Sequence, residues 1–300
     1  MQFLVYIIFY PIIYFISILP FRILYLLSDF VFLLVFHVFR YRRKVVVANL
    51  KLALPHLSDQ ERADIEKKFF KHMCDMFLEM IKTMSISDKE IEERFKFKNL
   101  EEYLELEKQN KSIALLASHY ASYEWVVSMN RKIQFTGFAI YKKLSNKYFD
   151  DLVKKIRSRF KAELIVSQHT KRVVEQNQLN GIRGLYGFAS DQSPQIKPHV
   201  YWTNFMGIEV PVHTGAEMLS KRFDMNMIYL KVNKVKRGYY EAELEVLTTD
   251  AKSIPDYEIT ERFLRKVEQQ IYEKPEYYLW THKRWKHRGK NKKVVAPESN

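Results

Sequence analysis

Residues 1–21, MQFLVYIIFYPIIYFISILPF, carry no charged side chain. After Arg22 the apolar character resumes through ILYLLSDFVFLLVFHVF, broken only by Asp29. About 20 mostly apolar residues suffice to span a bilayer as a helix. The two runs predict an N-terminal membrane anchor over residues 1–39, and Pro11 and Asp29 permit the second run either to cross or to lie in the interface. A cleaved signal peptide fits poorly, because no basic n-region or small-x-small cleavage site is visible and the apolar region is too long. RYRRK follows, with Arg40, Arg42, Arg43 and Lys44. Positive residues flank the cytoplasmic end of membrane segments, so a single crossing puts everything after residue 44 on the cytoplasmic side.

Beyond the basic run the periodicity changes. SDQERADIEKKFFKHMCDMFLEMIKTM opens with Ser58 and Glu61 in capping-box spacing and continues as a helix, and SDKE at Ser87–Glu90 repeats the signal. FKFKN alternates like a strand, LEEYLELEKQ is helical, and SIALLAS is a short apolar run that suits a strand covered on both faces. Strands FTGFAIY, AELIV and RGLYGFAS then alternate with helices KYFDDLVKKIRSRF and TKRVVEQNQL, and DQSPQIKP reads as a loop. GAEMLSKRF is a helix, MNMIYLKVNKV and YYEAELEVL are two strands joined through KRGY, and YEITERFLRKVEQQIYEK is the last helix. This order predicts a layered α/β/α sandwich with a mostly parallel central sheet and a late antiparallel hairpin. It spans a main domain over residues 40–288, followed by a basic tail over 289–300 whose end, VVAPESN, is expected to be disordered.

Composition narrows the picture. Glycine and proline are sparse, no polar linker interrupts the chain, and no repeat recurs at a period of 20 to 50 residues, which argues against a solenoid. A net charge of +14 implies an anionic partner. Joined to an apolar N-terminus, it favours a membrane surface over nucleic acid. The single cysteine, Cys74, excludes an internal disulfide and a thiolate metal cluster, and its place in a helical pattern makes it a small core residue.

ALLASHYASYEW, residues 114–125, places His119 at the carboxyl end of a predicted buried strand, with Glu124 five positions on. Ligands of such sheets bind beyond the carboxyl ends of the strands. On one continuous helix the two side chains diverge, because helical neighbours lie three or four apart. A strand-to-helix turn instead lets the carboxylate reach back to the imidazole, giving a general base with its orienting acid. Its plain alternative is a structural hydrogen bond. No G-x-S-x-G elbow, phosphate-binding G-x-x-x-x-G-K-[ST] loop or H-E-x-x-H motif competes.

With these elements in order, further stretches match a known pattern. The apolar start, VVVANLKLALP and SHYASYEW resemble the late acyltransferases of lipid A biosynthesis, whose H-x4-D/E motif stands in the same place. SNKYFDDLVKKIRSRF is similar to that family's segment ending in R-x-R, here Arg157 and Arg159, and ASDQSP to its D-Q loop, here Asp191 and Gln192. FMGIEVPVHTGAEMLSKRF aligns through Phe205, Thr214 and Gly215, and LWTHKRWKHR through Trp280, His282, Arg284 and Trp285. The resemblance implies transfer of a fatty acyl chain from acyl carrier protein to a hydroxyl of a lipid A precursor, without metal or cofactor, at the cytoplasmic side of the inner membrane. It implies His119 and Glu124 as the catalytic pair. Arg157 or Arg159 is expected to bind phosphate or to pair with Glu124, and Asp191, with Gln192, either shapes the acceptor site or opens an Asx-turn. Three departures touch the acceptor: Ser190 before Asp-Gln, altered residues after Gln192, and His213 before Thr214.

The terminal THKRWKHRGKNKK carries seven Lys or Arg from Lys283 to Lys293. Cations and indoles favour an anionic interface, so Trp280, Lys283, Arg284, Trp285, Lys286 and Arg288 are expected to contact the membrane or an acidic carrier protein. A membrane-tethered lipid-binding protein without catalysis is the competing reading, and a nucleic-acid binder a distant third.

Overall fold

The computed structural model describes residues 2–291, with Gln2, Leu4 and Val5 by backbone alone. Helices α1 (Gln2–Ile18) and α2 (Phe21–Leu33) are separated at Pro20, and α2 continues through a π-helical turn, Leu34–Val38. A short α3 (Arg43–Ala53) leads to the long α4 (Asp59–Lys82). The predicted capping boxes form: Ser58 and Glu61 satisfy each other's backbone N–H at the start of α4, and Ser87 with Glu90 does the same for α5 (Asp88–Arg94). Each such pair removes two orphan donors from a helix start.

The rest alternates as the hydrophobic pattern predicts. In chain order come β1 (Phe95–Phe97), α6 (Leu100–Lys108), β2 (Ile113–Ala117), a 3₁₀ segment Tyr123–Arg131, β3 (Thr136–Tyr141) and α7 (Lys147–Arg157). There follow β4 (Glu163–Val166), α8 (Thr170–Leu179), β5 (Gly184–Ala189), β6 (Trp202–Phe205), β7 (Ile208–Pro211) and α9 (Gly215–Phe223). The long β8 (Asn226–Lys236), β9 (Tyr239–Thr248) and α10 (Glu258–Glu273) complete the order. Seven strands form one sheet in the order β1-β9-β8-β2-β5-β3-β4. All its pairings are parallel except the β8–β9 hairpin. In β2, Ile113, Ala114, Leu115 and Leu116 are all buried, so both faces of the central strand are covered, as its unbroken apolar run requires.

Two features depart from the sequence expectation. β6 and β7 form a separate two-stranded hairpin turning through Met206 and Gly207, both at positive φ. A two-residue hairpin turn needs this backbone, but Met at its first position hides the usual Asn-Gly signal. The aromatic residues of the C-terminal stretch also face inward. Trp280 and Trp285 are fully buried and stacked with ring centroids 6.1 Å apart, and Trp285 stacks on Phe205. Arg284 is buried beside them, its guanidinium 4.8 Å from the Phe205 ring centre. Of the six residues expected at a surface, Trp280, Arg284 and Trp285 are therefore core, because the β6–β7 hairpin offers indole-sized apolar area to pack on. Lys283, Lys286 and Arg288 remain exposed. The expected disorder of VVAPESN lies outside the described residues.

Candidate active site

The site grows out of the register of two neighbouring strands. β2 and β5 run parallel with Ile113 opposite Leu185 and Ala117 opposite Ala189. Two residues beyond Ala117 stands His119, and two beyond Ala189 stands Asp191. Parallel strands release both at the same carboxyl edge, and their side chains meet: His119 Nδ1 lies 2.7 Å from Asp191 Oδ1. Asp191 is fully buried, whereas the His119 side chain keeps 19% of its exposure. Nδ1–H donating to the carboxylate leaves Nε2 as the open ring nitrogen, and among the described residues no hydrogen bond reaches it.

Burial alone drives the His119 pKa down, but the Asp191 charge and hydrogen bond, aided by the charge of Glu124, outweigh it and hold it above the ordinary imidazole value. Burial likewise pushes the Asp191 carboxyl up, and His119 reverses that to a net lowering. The pair is thus a carboxylate holding an imidazole that readily accepts a proton.

The turn carrying His119 is clamped from the C-terminal side. Leu279 N–H donates to the His119 carbonyl at 3.0 Å, and Ala121 N–H to the Tyr277 carbonyl at 2.9 Å. The Tyr120 hydroxyl donates to the Lys274 carbonyl at 2.9 Å. Ala121 sits at φ +50°, an uncommon conformation for a residue with a Cβ. The 3₁₀ segment then begins, with Tyr123 edge-on to the His119 ring at 5.0 Å and Trp125 driven into the core, where its indole donates to Thr83 Oγ1.

Between those two rings Glu124 takes a third direction. Its carboxylate receives Arg157 Nε at 3.0 Å and Nη2 at 2.6 Å, a two-pronged ion pair with the last residue of α7. The geometry therefore differs from the expected arrangement: Asp191 rather than Glu124 holds the imidazole, because the left-handed turn at Ala121 aims residue 124 at α7. Of the two arginines, Arg157 is the partner of Glu124. Arg159, beyond the helix end, points elsewhere, with Nη2 3.3 Å from the Ile86 carbonyl. Gln192 is half-buried beside Asp191.

The fold brings two further histidines to this edge, His282 of the terminal family-like stretch and His213, the departure that bears on the acceptor. His282 Nε2 accepts from the Ser193 N–H at 3.2 Å, just past Asp191. Burial pushes its pKa down to about 4. Burial also lowers that of His213, which feels the charges of Arg284, Asp191 and His119. Burial thus disfavours the charged form of both, whereas Asp191 favours it at His119. Arg284 donates from Nη1 to the Pro211 carbonyl, while its Nε and Nη2 find no partner among the described residues. The described residues contain no cluster of side chains suited to holding a metal ion.

Comparison with known proteins completes the picture. The family model described as bacterial lipid A biosynthesis acyltransferase matches residues 2–287. The chain is 22% identical over 271 residues to the lipid A biosynthesis lauroyltransferase of Escherichia coli (strain K12), covering 90% of this chain and 87% of that one. Against the lipid A biosynthesis palmitoleoyltransferase of the same organism it is 23% identical over 258 residues, 82% of this chain and 79% of the other. The lipid A biosynthesis acyltransferase of Shigella flexneri gives the same figures. The match runs through both strands that carry His119 and Asp191 and nearly end to end, and the chain belongs to the bacterial lipid A biosynthesis acyltransferase family.

Proposed function

We propose that the protein moves a fatty acyl chain from acyl carrier protein to a hydroxyl of a lipid A precursor at the cytoplasmic face of the inner membrane, with His119 as general base. The observation that carries this reading is the 2.7 Å contact of His119 Nδ1 with the buried Asp191 carboxylate, which leaves Nε2 to receive a proton. The acceptor hydroxyl gives its proton to Nε2 as its oxygen bonds to the thioester carbonyl carbon. Collapse of the tetrahedral intermediate breaks the C–S bond, and the proton passes from Nε2 to the departing sulfur. An ester and a free carrier thiol result. Asp191 fixes the tautomer and stabilises the transient imidazolium. Glu124 acts one step back, holding Arg157 so that its guanidinium faces the substrate's negative charge. The reading requires neither metal nor organic cofactor. His213, near the site where a smaller residue is more usual, favours a second reading for the acceptor alone: another membrane glycolipid or aminolipid, acylated by the same step.

The test is acyl transfer by the purified protein in detergent or vesicles, with acyl carrier protein thioester as donor and a lipid A precursor as acceptor, followed by mass spectrometry. His119→Ala is expected to lower turnover by about 10²- to 10⁴-fold, the usual worth of a general base. Asp191→Asn should lose much of the rate as well. Wild-type turnover in both variants removes the assigned roles, and an acceptor unchanged in mass under every condition removes the activity.

A further inference from the structure

Helix α2 is long and apolar enough to cross a membrane over Phe21–Val38, yet only part of its surface is buried by the protein. Its placement argues against crossing. α2 runs antiparallel along α4 and is tied to the protein at both ends and in the middle. At its start the Arg94 guanidinium lies 3.4 Å from the centre of the Phe21 ring. Midway, Ser28 Oγ donates to Asp75 of α4 at 2.7 Å, and Arg237, from the turn between β8 and β9, bridges Asp29 and Asp75. In its π-helical last turn Phe36 packs on Phe70, and beyond that turn Arg43 donates to Glu66 at 2.7 Å. Along the same length α4 exposes Lys67, Lys68 and Lys71. Lys71 reaches Asp29 of α2 at 3.5 Å, while Lys67 and Lys68 form no ion pair among the described residues. Solvated lysines are costly in hydrocarbon, so a helix lying flush against α4 is disfavoured from traversing a bilayer. α1 is tied likewise, by Tyr6 stacked on Tyr148 of α7 and by Lys82 Nζ donating to the Leu19 carbonyl at 2.9 Å.

α1 leaves a broad apolar face uncovered, Ile7, Phe9 and Ile18 included, and α2 a narrower one, with a row of large side chains along each. Ile8, Ile12 and Phe15 on α1, and Leu26, Phe30 and Leu33 on α2, follow i, i+4, i+7 spacing, each at least half exposed. Exposed basic residues border the rows: Arg22 at the start of α2, and Arg40, Arg42 and Lys44 beyond its end. With a net charge of +14, an anionic lipid surface complements this margin, whereas a second copy of the chain would repel it. We propose that α1 and α2 lie in the plane of a single leaflet of an anionic bilayer, apolar rows toward the acyl chains, while remaining docked on α4. The protein then sits on the membrane without crossing it, as interfacial amphipathic helices do. This rests on the membrane association contained in the proposed function. Its test reads depth and not turnover, so a failed docking geometry and a failed acyl transfer are told apart.

The experiment uses the full chain carrying Ile12→Cys, Ile23→Cys, Phe30→Cys or Val38→Cys, each labelled with an environment-sensitive fluorophore. All four positions are about half exposed or more, so the labels do not enter the core. Cys74 is buried with its thiol pushed up to about 12 by burial, so it stays unlabelled. Binding to vesicles containing phosphatidylglycerol, with nitroxide lipids quenching at known depths, is expected to place all four labels at one shallow depth, about 5–10 Å below the headgroups. A profile in which Phe30→Cys reaches the bilayer centre, with Ile23→Cys and Val38→Cys at opposite surfaces, makes α2 a transmembrane helix and overturns the proposal. Absence of quenching at all four positions, or equal binding to vesicles of zwitterionic lipid alone, overturns it too.

Discussion

At the scale of the residue, the chemistry reduces to one imidazole and the acid behind it. Asp191 is the main influence raising the His119 pKa, and burial the one lowering it. A base works unprotonated, so kcat/KM should rise with pH through a limb lying above about 6.5, the ordinary imidazole value. Asp191→Asn removes the main raising influence and leaves burial opposed only by Glu124, so the limb should move to lower pH while the plateau drops. A limb that stays put in the variant would assign the titration to another group. The histidine itself was legible in the sequence, because an apolar run ending in a polar residue marks the rim of a sheet. Its partner was not. His-x4-Glu advertises a local pair, whereas the actual contact spans 72 positions and depends on β5 lying beside β2 in register, which no spacing along the chain encodes.

Among the elements, those with strong local signals appear where periodicity and capping place them, including α4, α5 and the alternating strands and helices of the main sheet. The β6–β7 hairpin was invisible because its turn residue is methionine, and its absence from the sequence reading misplaced the C-terminal stretch as well. Without a hairpin to pack against, a run rich in Trp, Lys and Arg reads as a surface tail. With it, Trp285 stacks on Phe205 and donates its indole N–H to the Phe205 carbonyl at 3.2 Å. Trp285→Ala should therefore cost about 3–5 kcal/mol in urea unfolding, as large aromatic deletions from a core do. Lys286→Ala, one residue on and exposed, should change stability by less than about 0.5 kcal/mol. Equal effects for the two would place the stretch on the surface after all.

Over the whole molecule, charge and apolar area are distributed to different purposes. Arg22, Arg40, Arg42 and Lys44 border the uncovered faces of α1 and α2, while the sheet edge with His119 is reached from α1 through α7, the helix that ends in Arg157. Vesicle binding should accordingly combine an apolar part with an electrostatic one. Sedimentation with anionic vesicles is expected to weaken but not vanish between 0.05 and about 0.5 M salt, because exposed charges are screened over that range whereas apolar contact is not. Complete release would reduce the helices to bystanders. The clamp on the His119 turn carries a further implication for biogenesis. Leu279 and Tyr277, which hold that turn, lie far downstream of His119 in the chain and leave the ribosome long after it. A nascent polypeptide can settle its N-terminal helices on lipid while synthesis continues, but it has no assembled proton acceptor until residues 277–279 have emerged. Chains that stop short of that segment reach the membrane inert.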